Sequence, residues 1–277
     1  MTRACVLTIA GSDSGGGAGV QADLKAFVAY GVHGASAITA VTAQNSRQVT
    51  DVFALPESSL EAQIDAVFSD LRPDTVKIGM LSTASIVRLV ARKLREFEPA
   101  CIVLDPVMIA STGARLLEED AVDALRSELL PLATIVTPNW LEAGELINAF
   151  PRGLEDIERI VISLQRLGVR SMLIKGGHLE GAEVIDTLHH EGTYTQFTHP
   201  RIAGADGHGT GCALSSSVAA GLALGMEMND ACGLAVEFVV RALQERYAVG
   251  GSREAFLNLS EQNLMRARSS SISWKPQ

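Results

Sequence analysis

Two glycine-dense segments carry the first hint of chemistry. Gly11-Ser-Asp-Ser-Gly-Gly-Gly-Ala-Gly19 packs five glycines ahead of a helical pattern, and Gly204-Ala-Asp-Gly-His-Gly-Thr-Gly211 places four in eight residues at the mouth of another. Without Cβ atoms, such backbone can approach a ligand closely and aim amides at it. The later loop can form a nest of N–H groups, to which the following helix adds partial positive charge. That combination holds a polyanion with few basic side chains. The earlier loop is not a P-loop, because Gly17-Ala18 follows Gly16 where Lys and Ser or Thr should stand. Gly17-Ala-Gly-Val-Gln-Ala22 matches the relaxed dinucleotide fingerprint, but it starts well after the strand. No Asp or Glu lies between Asp23 and Asp51 to hold a ribose, so a Rossmann dehydrogenase fits poorly. Cys212 falls in the first turn of the late helix, where the helix dipole lowers a thiol pKa. A partly ionised thiolate is therefore expected, with a small residue packed under the loop as the alternative.

These groups need a scaffold, and the hydrophobic pattern supplies one. Apolar, β-rich runs fall at 5–10, 35–41, 49–55, 75–79, 101–104, 134–136 and 172–175, alternating with helical patterns at 20–30, 59–70, 83–97, 118–130, 139–148 and 154–168. Strand, helix, strand at this spacing predicts a mainly parallel sheet covered on both faces. Runs at 184–189 and 193–197 flank Glu191-Gly192 and predict an antiparallel hairpin, after which 210–224 and 229–247 are helical. Open parallel sheets bind ligands beyond the carboxyl ends of their strands. Those ends here carry the first glycine loop, Gln44-Asn45, Gly79-Met80, Asp105-Pro-Val-Met108, Thr137-Pro-Asn139 and Lys175-Gly-Gly-His178. Together they outline one crevice. With no linker, repeat or charge block in the first 250 residues, 1–277 reads as one domain, its tail from Val249 lacking an obvious anchor.

Composition narrows the function. The chain has 277 residues, 47% of them hydrophobic and 20% charged, with a formal charge of −9. At this size about 70% of the unfolded surface is buried on folding. The acidic balance, with a pI near 5.2, argues against nucleic acid or an anionic membrane as partner, so any anionic ligand must meet local counter-charge. No run approaches the ~18 apolar residues of a membrane span. The first eleven residues read as a strand rather than a signal peptide. Cys5, Cys101, Cys212 and Cys232 are widely spaced, which fits a reducing cytoplasm.

Read in order, residues 8–25, Val41-Thr-Ala-Gln-Asn45, Lys77-Ile-Gly-Met80, Leu104-Asp-Pro-Val-Met108, Thr137-Pro-Asn139 with Glu142, Lys175-Gly-Gly-His178 and His208-Gly-Thr-Gly-Cys212 closely resemble the bacterial hydroxymethylpyrimidine/phosphomethylpyrimidine kinases of thiamine biosynthesis. The resemblance runs over about 4–247 and implies a three-layer α/β, ribokinase-like fold. It also implies ATP- and Mg²⁺-dependent phosphorylation of 4-amino-5-hydroxymethyl-2-methylpyrimidine, and then of its monophosphate. By the same carry-over, Gly11, Asp23, Gln44, Met80 and Val107 surround the pyrimidine. Lys175, Asn139 and Thr210 meet the nucleotide, and Asp105 and Glu142 place the magnesium ion through water. Gly209, Thr210 and Gly211 offer amides to the moving phosphoryl group, and Cys212 stands where sugar kinases of the fold have an Asp base. Asp206, ahead of the nest, is read as a loop cap. A cytoplasmic homodimer is implied as well.

Two departures stand out. Gly15-Gly16 replaces the family's usual Ser-Gly, and the C-terminal segment, Gly250-Gly-Ser-Arg-Glu254, lacks the Gly-Pro and late His common among relatives. The rival readings are a pyridoxal kinase of the same fold, and a non-catalytic pyrimidine or nucleotide sensor. Against the sensor stands the intact set Asp105, Glu142, Lys175 and Cys212.

Overall fold

The computed structural model describes residues 3–109, 113, 115–204, 208–252, 255–269 and 275–276. Its chain alternates as the sequence pattern requires. Nine α-helices and ten strands are found among the described residues: β1 (Cys5–Asp13), α1 (Gly19–Tyr30), β2 (His33–Gln44), β3 (Val49–Ala54), α2 (Glu57–Asp70), β4 (Thr75–Ile78), α3 (Ala84–Phe97), β5 (Cys101–Leu104), α4 (Glu119–Ala124), β6 (Ile135–Val136), α5 (Trp140–Ile147), α6 (Ile157–Arg166), β7 (Met172–Ile174), β8 (Glu183–His190), β9 (Thr193–Pro200), α7 (Thr210–Ala223), α8 (Met228–Gln244), α9 (Glu261–Ser269) and β10 (Lys275–Pro276). All ten strands join one sheet in the order β10-β9-β8-β7-β6-β5-β4-β1-β2-β3. From β2 through β7 neighbouring strands are parallel; β3 pairs antiparallel with β2, and β8, β9 and β10 extend the other edge antiparallel.

Alternation of side chains along each strand divides the apolar residues between two cores. Leu7, Ile9, Val76, Ile78, Ile102 and Leu104 face α2 to α6. Val6, Val103, Ile135 and Leu173 face α1, α7, α8 and α9. The result is the expected three-layer arrangement, with strands buried on both faces.

The structure corrects several boundaries. β1 does not stop at Ala10; it continues to Asp13 across a register shift at Gly11, so the first glycine loop begins inside the sheet. The helix expected over 118–130 ends at Ala124, widens into a π turn over Leu125–Leu129 and tightens into a 3₁₀ turn over Leu130–Leu132. Pro131 explains the change, since it has no N–H to continue the i→i−4 ladder. Among the described residues after Val249, several are anchored. Leu257, Leu264 and Ala267 are buried with α1 and α8, Phe256 pairs with Tyr247, and Asn263 is fully enclosed.

Candidate active site

Gly209 caps α7 in the left-handed conformation (φ 77°), and a Cβ there would lie 2.0 Å from the Gly17 carbonyl oxygen. The two glycine loops are therefore packed backbone to backbone, at the N-terminus of α7 and the carboxyl ends of β1, β4 and β5. Thr210 and Gly211 open the helix, as the sequence predicted. Asp206 lies outside the described residues.

On one side of the α7 N-terminus is a cationic corner. Lys175, just past β7, places Nζ 2.9 Å from Asp105 Oδ1 and 3.6 Å from Glu142 Oε2. A Cβ on Gly211 would stand 3.3 Å from that ammonium, so the helix start and the lysine head are in close approach. Asp105 is enclosed: Oδ1 also accepts from Thr137 Oγ1 at 3.3 Å, and Oδ2 accepts from Ser215 Oγ at 3.1 Å. Asn139 and Glu142 form a reciprocal capping box at the start of α5, Glu142 N donating to Asn139 Oδ1 and Asn139 N to Glu142 Oε2. Two carboxylates thus share one lysine and ionise unequally. Burial works against the Asp105 charge, but Lys175 and Lys77 hold its pKa below the ordinary value. Burial pushes Glu142 up to about 7, against the pull of Lys175 and with the push of Asp105.

On the other side stand the strand-end residues for which the family resemblance implies a pyrimidine site. Gly11 abuts Met80, whose sulfur would be 3.0 Å from a Cβ at that position. The Met80 carbonyl is fixed by Thr39 Oγ1 at 2.7 Å. Gln44 is tied to the first glycine loop at both ends of its backbone: its N donates to Ser14 Oγ at 2.9 Å, and its O accepts from the same hydroxyl at 2.8 Å. Its side chain is held by Thr42 Oγ1 at 3.1 Å. Val107 is half-buried beyond β5, its N–H turned back onto the Asp105 carbonyl.

Two sequence expectations change at this site. Asp23 does not line the crevice. Its side chain is 0% exposed, bonded to Lys77 Nζ at 2.9 Å through both oxygens and to the hydroxyls of Thr8 and Ser216 at 2.6 Å. A substrate therefore has no open face of this carboxylate to contact; Asp23 acts through Lys77 and α7. Lys77 is equally buried; desolvation is the largest single influence and opposes its ammonium form, but the Asp23 charge and hydrogen bond, together with Cys212 and Asp105, hold its pKa above the ordinary value. Ser215 and Ser216 tie the two buried pairs together, one hydroxyl reaching Asp105 and its neighbour Asp23. Replacing Lys77 with Met should cost about 3–5 kcal/mol in a urea denaturation experiment, since it leaves a buried carboxylate without its cation. A loss under about 1 kcal/mol would contradict the account of that pair.

The second change concerns Cys212. Burial dominates and pushes its thiol up to about 11; Lys77 and the Gly19 amide pull it down, while Asp23 and Asp105 push it further up. The thiolate expected from the helix N-terminus is not the resting form. With that pKa, only about one site in 10⁴ is ionised at pH 7. Alkylation of the Cys212 peptide by iodoacetamide should accordingly climb steadily from pH 7 to pH 10, and a plateau near pH 7 would show a low-pKa thiol instead.

Asp13, Lys77 and His208 fall within the sequence motifs without a role of their own, and nothing in the sequence reading marks Ser215, Ser216 or Asp186. A Lys in an otherwise apolar four-residue strand was a usable signal for Lys77, because full burial of a lysine demands a partner. Asp186 has none in the sequence: it is one acid in a hairpin, yet it is buried and accepts the Gly176 N–H at 2.7 Å. Beside Lys175 lies a cavity of about 170 Å³ lined by Asp186, Thr210, Gly211, Val236 and Val240. Its apolar wall comes from the i, i+4 face of α8.

Similarity to known proteins agrees with this geometry. The phosphomethylpyrimidine kinase family matches residues 13–256. The hydroxymethylpyrimidine/phosphomethylpyrimidine kinase of Rhizobium meliloti is 46% identical, the match covering 90% of this chain and 95% of that one. A bifunctional thiamine biosynthesis protein of Geobacter sulfurreducens is 42% identical over 90% of this chain, which spans 51% of that protein's length. Among solved structures, the Staphylococcus aureus pyridoxal kinase in complex with AMP-PCP and pyridoxal superposes with a TM-score of 0.87 at 30% identity, covering 100% of this chain and 99% of that one. The Clostridium difficile phosphomethylpyrimidine kinase gives 0.78 at 40% identity, covering 87% and 100%.

Proposed function

The chain belongs to the phosphomethylpyrimidine kinase family, and on that premise we propose that its crevice transfers the γ-phosphoryl group of ATP to 4-amino-5-hydroxymethyl-2-methylpyrimidine and then to the resulting monophosphate. The observation that carries this reading is the placement of α7. Its first amides open between a lysine bound to two carboxylates and a ring site floored by Gly11 and Met80.

Phosphoryl transfer needs alignment and charge neutralisation more than covalent chemistry. Gly209, Thr210 and Gly211 present backbone N–H groups to the transferring oxygens. Lys175 adds a fixed positive charge, and Asp105 holds that ammonium in place. The cavity beside Lys175 is apolar along α8 and suits the base of a nucleotide, while Asn139 pairs through its backbone with Lys175, from where its amide would reach the phosphates. Gln44 can donate and accept along an aminopyrimidine edge, and Met80 offers a polarizable surface. Val107 closes the far side of the ring. In the first step, the minor thiolate form of Cys212, left when the resting thiol gives its own proton to solvent, would accept the hydroxyl proton.

The residues present suit a magnesium ion that arrives with the nucleotide. Among the described residues no three His, Cys, Asp or Glu side chains cluster as a metal site. Asp105 has both oxygens engaged, whereas Glu142 makes no hydrogen bond through Oε1 among the described residues. Glu142 would hold the ion's water directly and Asp105 through its neighbours, as suits an ion that keeps much of its hydration. When bound, magnesium neutralises phosphate charge as the β–γ bond breaks.

The kinase works on small molecules, and among the described residues no helix is long and apolar enough to cross a membrane. Four free thiols support a reducing cytoplasm. The homodimer rests on family resemblance, and sedimentation at assay concentration tests it. An ADP-release assay with hydroxymethylpyrimidine, its monophosphate and pyridoxal tests the central reading. Turnover of both pyrimidines is expected. Preference for pyridoxal, or no ADP with any of the three, would overturn it.

A further inference from the structure

Asp13 ends β1, and its carboxylate is almost fully enclosed. Three of its donors are local: Gly15 N at 2.8 Å to Oδ1, and Gly17 N at 2.9 Å and Ala18 N at 2.8 Å to Oδ2. Three amides suffice to shape a turn. A fourth group reaches it from the distant phosphate-side loop, His208 Nε2 at 3.4 Å from Oδ2. His208 directly precedes Gly209, so it belongs to the phosphate-side loop, while Asp13 organises the ring-side loop.

Other contacts join the same two loops. A Cβ on Gly17 would fall 2.7 Å from the His208 ring, so the imidazole occupies the space a side chain would need. The Gly17 carbonyl in turn rests against Gly209, as described above. Phe256, from the C-terminal segment, closes over Gly17 from another direction, 3.1 Å from that same Cβ position. Asp13 N also donates to Gln21 Oε1 at 2.9 Å, tying the turn to α1. The ring-side loop is thus held by the phosphate-side loop at a carboxylate, a ring face and a carbonyl.

We propose that Asp13 and His208 form a latch between the two loops, so that the pyrimidine and the nucleotide each bind more tightly when the other is present. Both are positioning residues. A loop free to swing away from its neighbour leaves the ring site unassembled, and a ligand that orders either loop lessens what the second ligand must order. The coupling is reciprocal by thermodynamic linkage. The proposal rests on the kinase reading above for the identity of the two ligands.

Calorimetry on the full chain, in magnesium buffer, tests it. Hydroxymethylpyrimidine and the ATP analogue AMP-PCP are each titrated alone and in the presence of the other at saturation. The native protein should show about a tenfold gain in affinity in both directions, within the usual range of such couplings. In His208→Ala the gain should fall below about twofold, while affinity for each ligand alone changes less than the coupling does; a merely structural lesion would weaken the single ligands and leave the ratio standing. His208→Gln retains a side-chain N–H and should recover part of the gain. If His208→Ala does not fold, Asp13→Asn, which keeps an acceptor for the loop amides but loses the charge, decides by the same ratio. An undiminished gain in whichever variant folds, or no gain in the native protein, overturns the latch. A native protein that shows the gain but transfers no phosphoryl group to either pyrimidine would overturn the kinase reading and leave the latch standing.

Discussion

Lys175→Met is expected to lower kcat/KM for both phosphorylations by about 10²–10³-fold, the usual effect of removing one preorganised charge from a phosphoryl or oxyanion site. The same change leaves Asp105 and Glu142 buried around an apolar side chain, so stability should fall by about 3–5 kcal/mol. The two losses are separable, since activity can be measured well below the variant's melting temperature. Lys175→Arg should not rescue it. Gly211 stands so near the ammonium that even an added Cβ would be at 3.3 Å, and a guanidinium cannot occupy that corner without pushing the α7 N-terminus away. A Met variant within tenfold of the native rate would remove Lys175 from the phosphate site.

Cys212→Ala should separate the two steps. Hydroxymethylpyrimidine presents an alcohol whose proton must leave, whereas its monophosphate presents an oxygen that is already ionised. Loss of a proton acceptor costs about 10²–10⁴-fold where a proton is transferred, so the first step should fall by that much and the second by less than about tenfold. The buried thiol sharpens the expectation. With its pKa up at about 11, the reactive fraction grows about tenfold per pH unit below that value. The first-step rate of the native enzyme should therefore rise from pH 7 to pH 9, while the second stays nearly level. Equal losses in both steps, or parallel pH profiles, would make Cys212 a positioning group.

Much of the scaffold was legible because it depends on local pattern. The strand at 101–104 and the turn at Glu191-Gly192 follow from apolar runs and punctuation. In the structure that turn has both residues at positive φ, 49° and 77°, as a tight hairpin requires. The strand-end residues were also legible, since parallel topology brings them to one edge. What could not be read was depth. Asp23 and Asp105 look alike in sequence, each an acid beside apolar residues, and both prove to be buried, Asp23 against the enclosed Lys77 and Asp105 against Lys175, which lines the cavity. The thiol pKa failed for a related reason: helix position was visible, whereas the surrounding desolvation and the two nearby aspartates arise only when β1, β4, β5 and α7 meet. The C-terminal helix was missed because 261–269 has little apolar periodicity, and its buried side chains gain their partners from α1 and α8.

The two-sided core carries an implication for biosynthesis. One core is built by α2 to α6 and closes once β7 has formed. The other sets α1 against α7, α8 and α9, so one of the earliest helices to leave the ribosome must wait for the last. Until α7 and α8 have emerged, Phe27 and Tyr30 lack their cover and the α7 mouth does not exist. The nascent protein is thus exposed to misassembly until those helices emerge, in the manner of folds dominated by distant contacts.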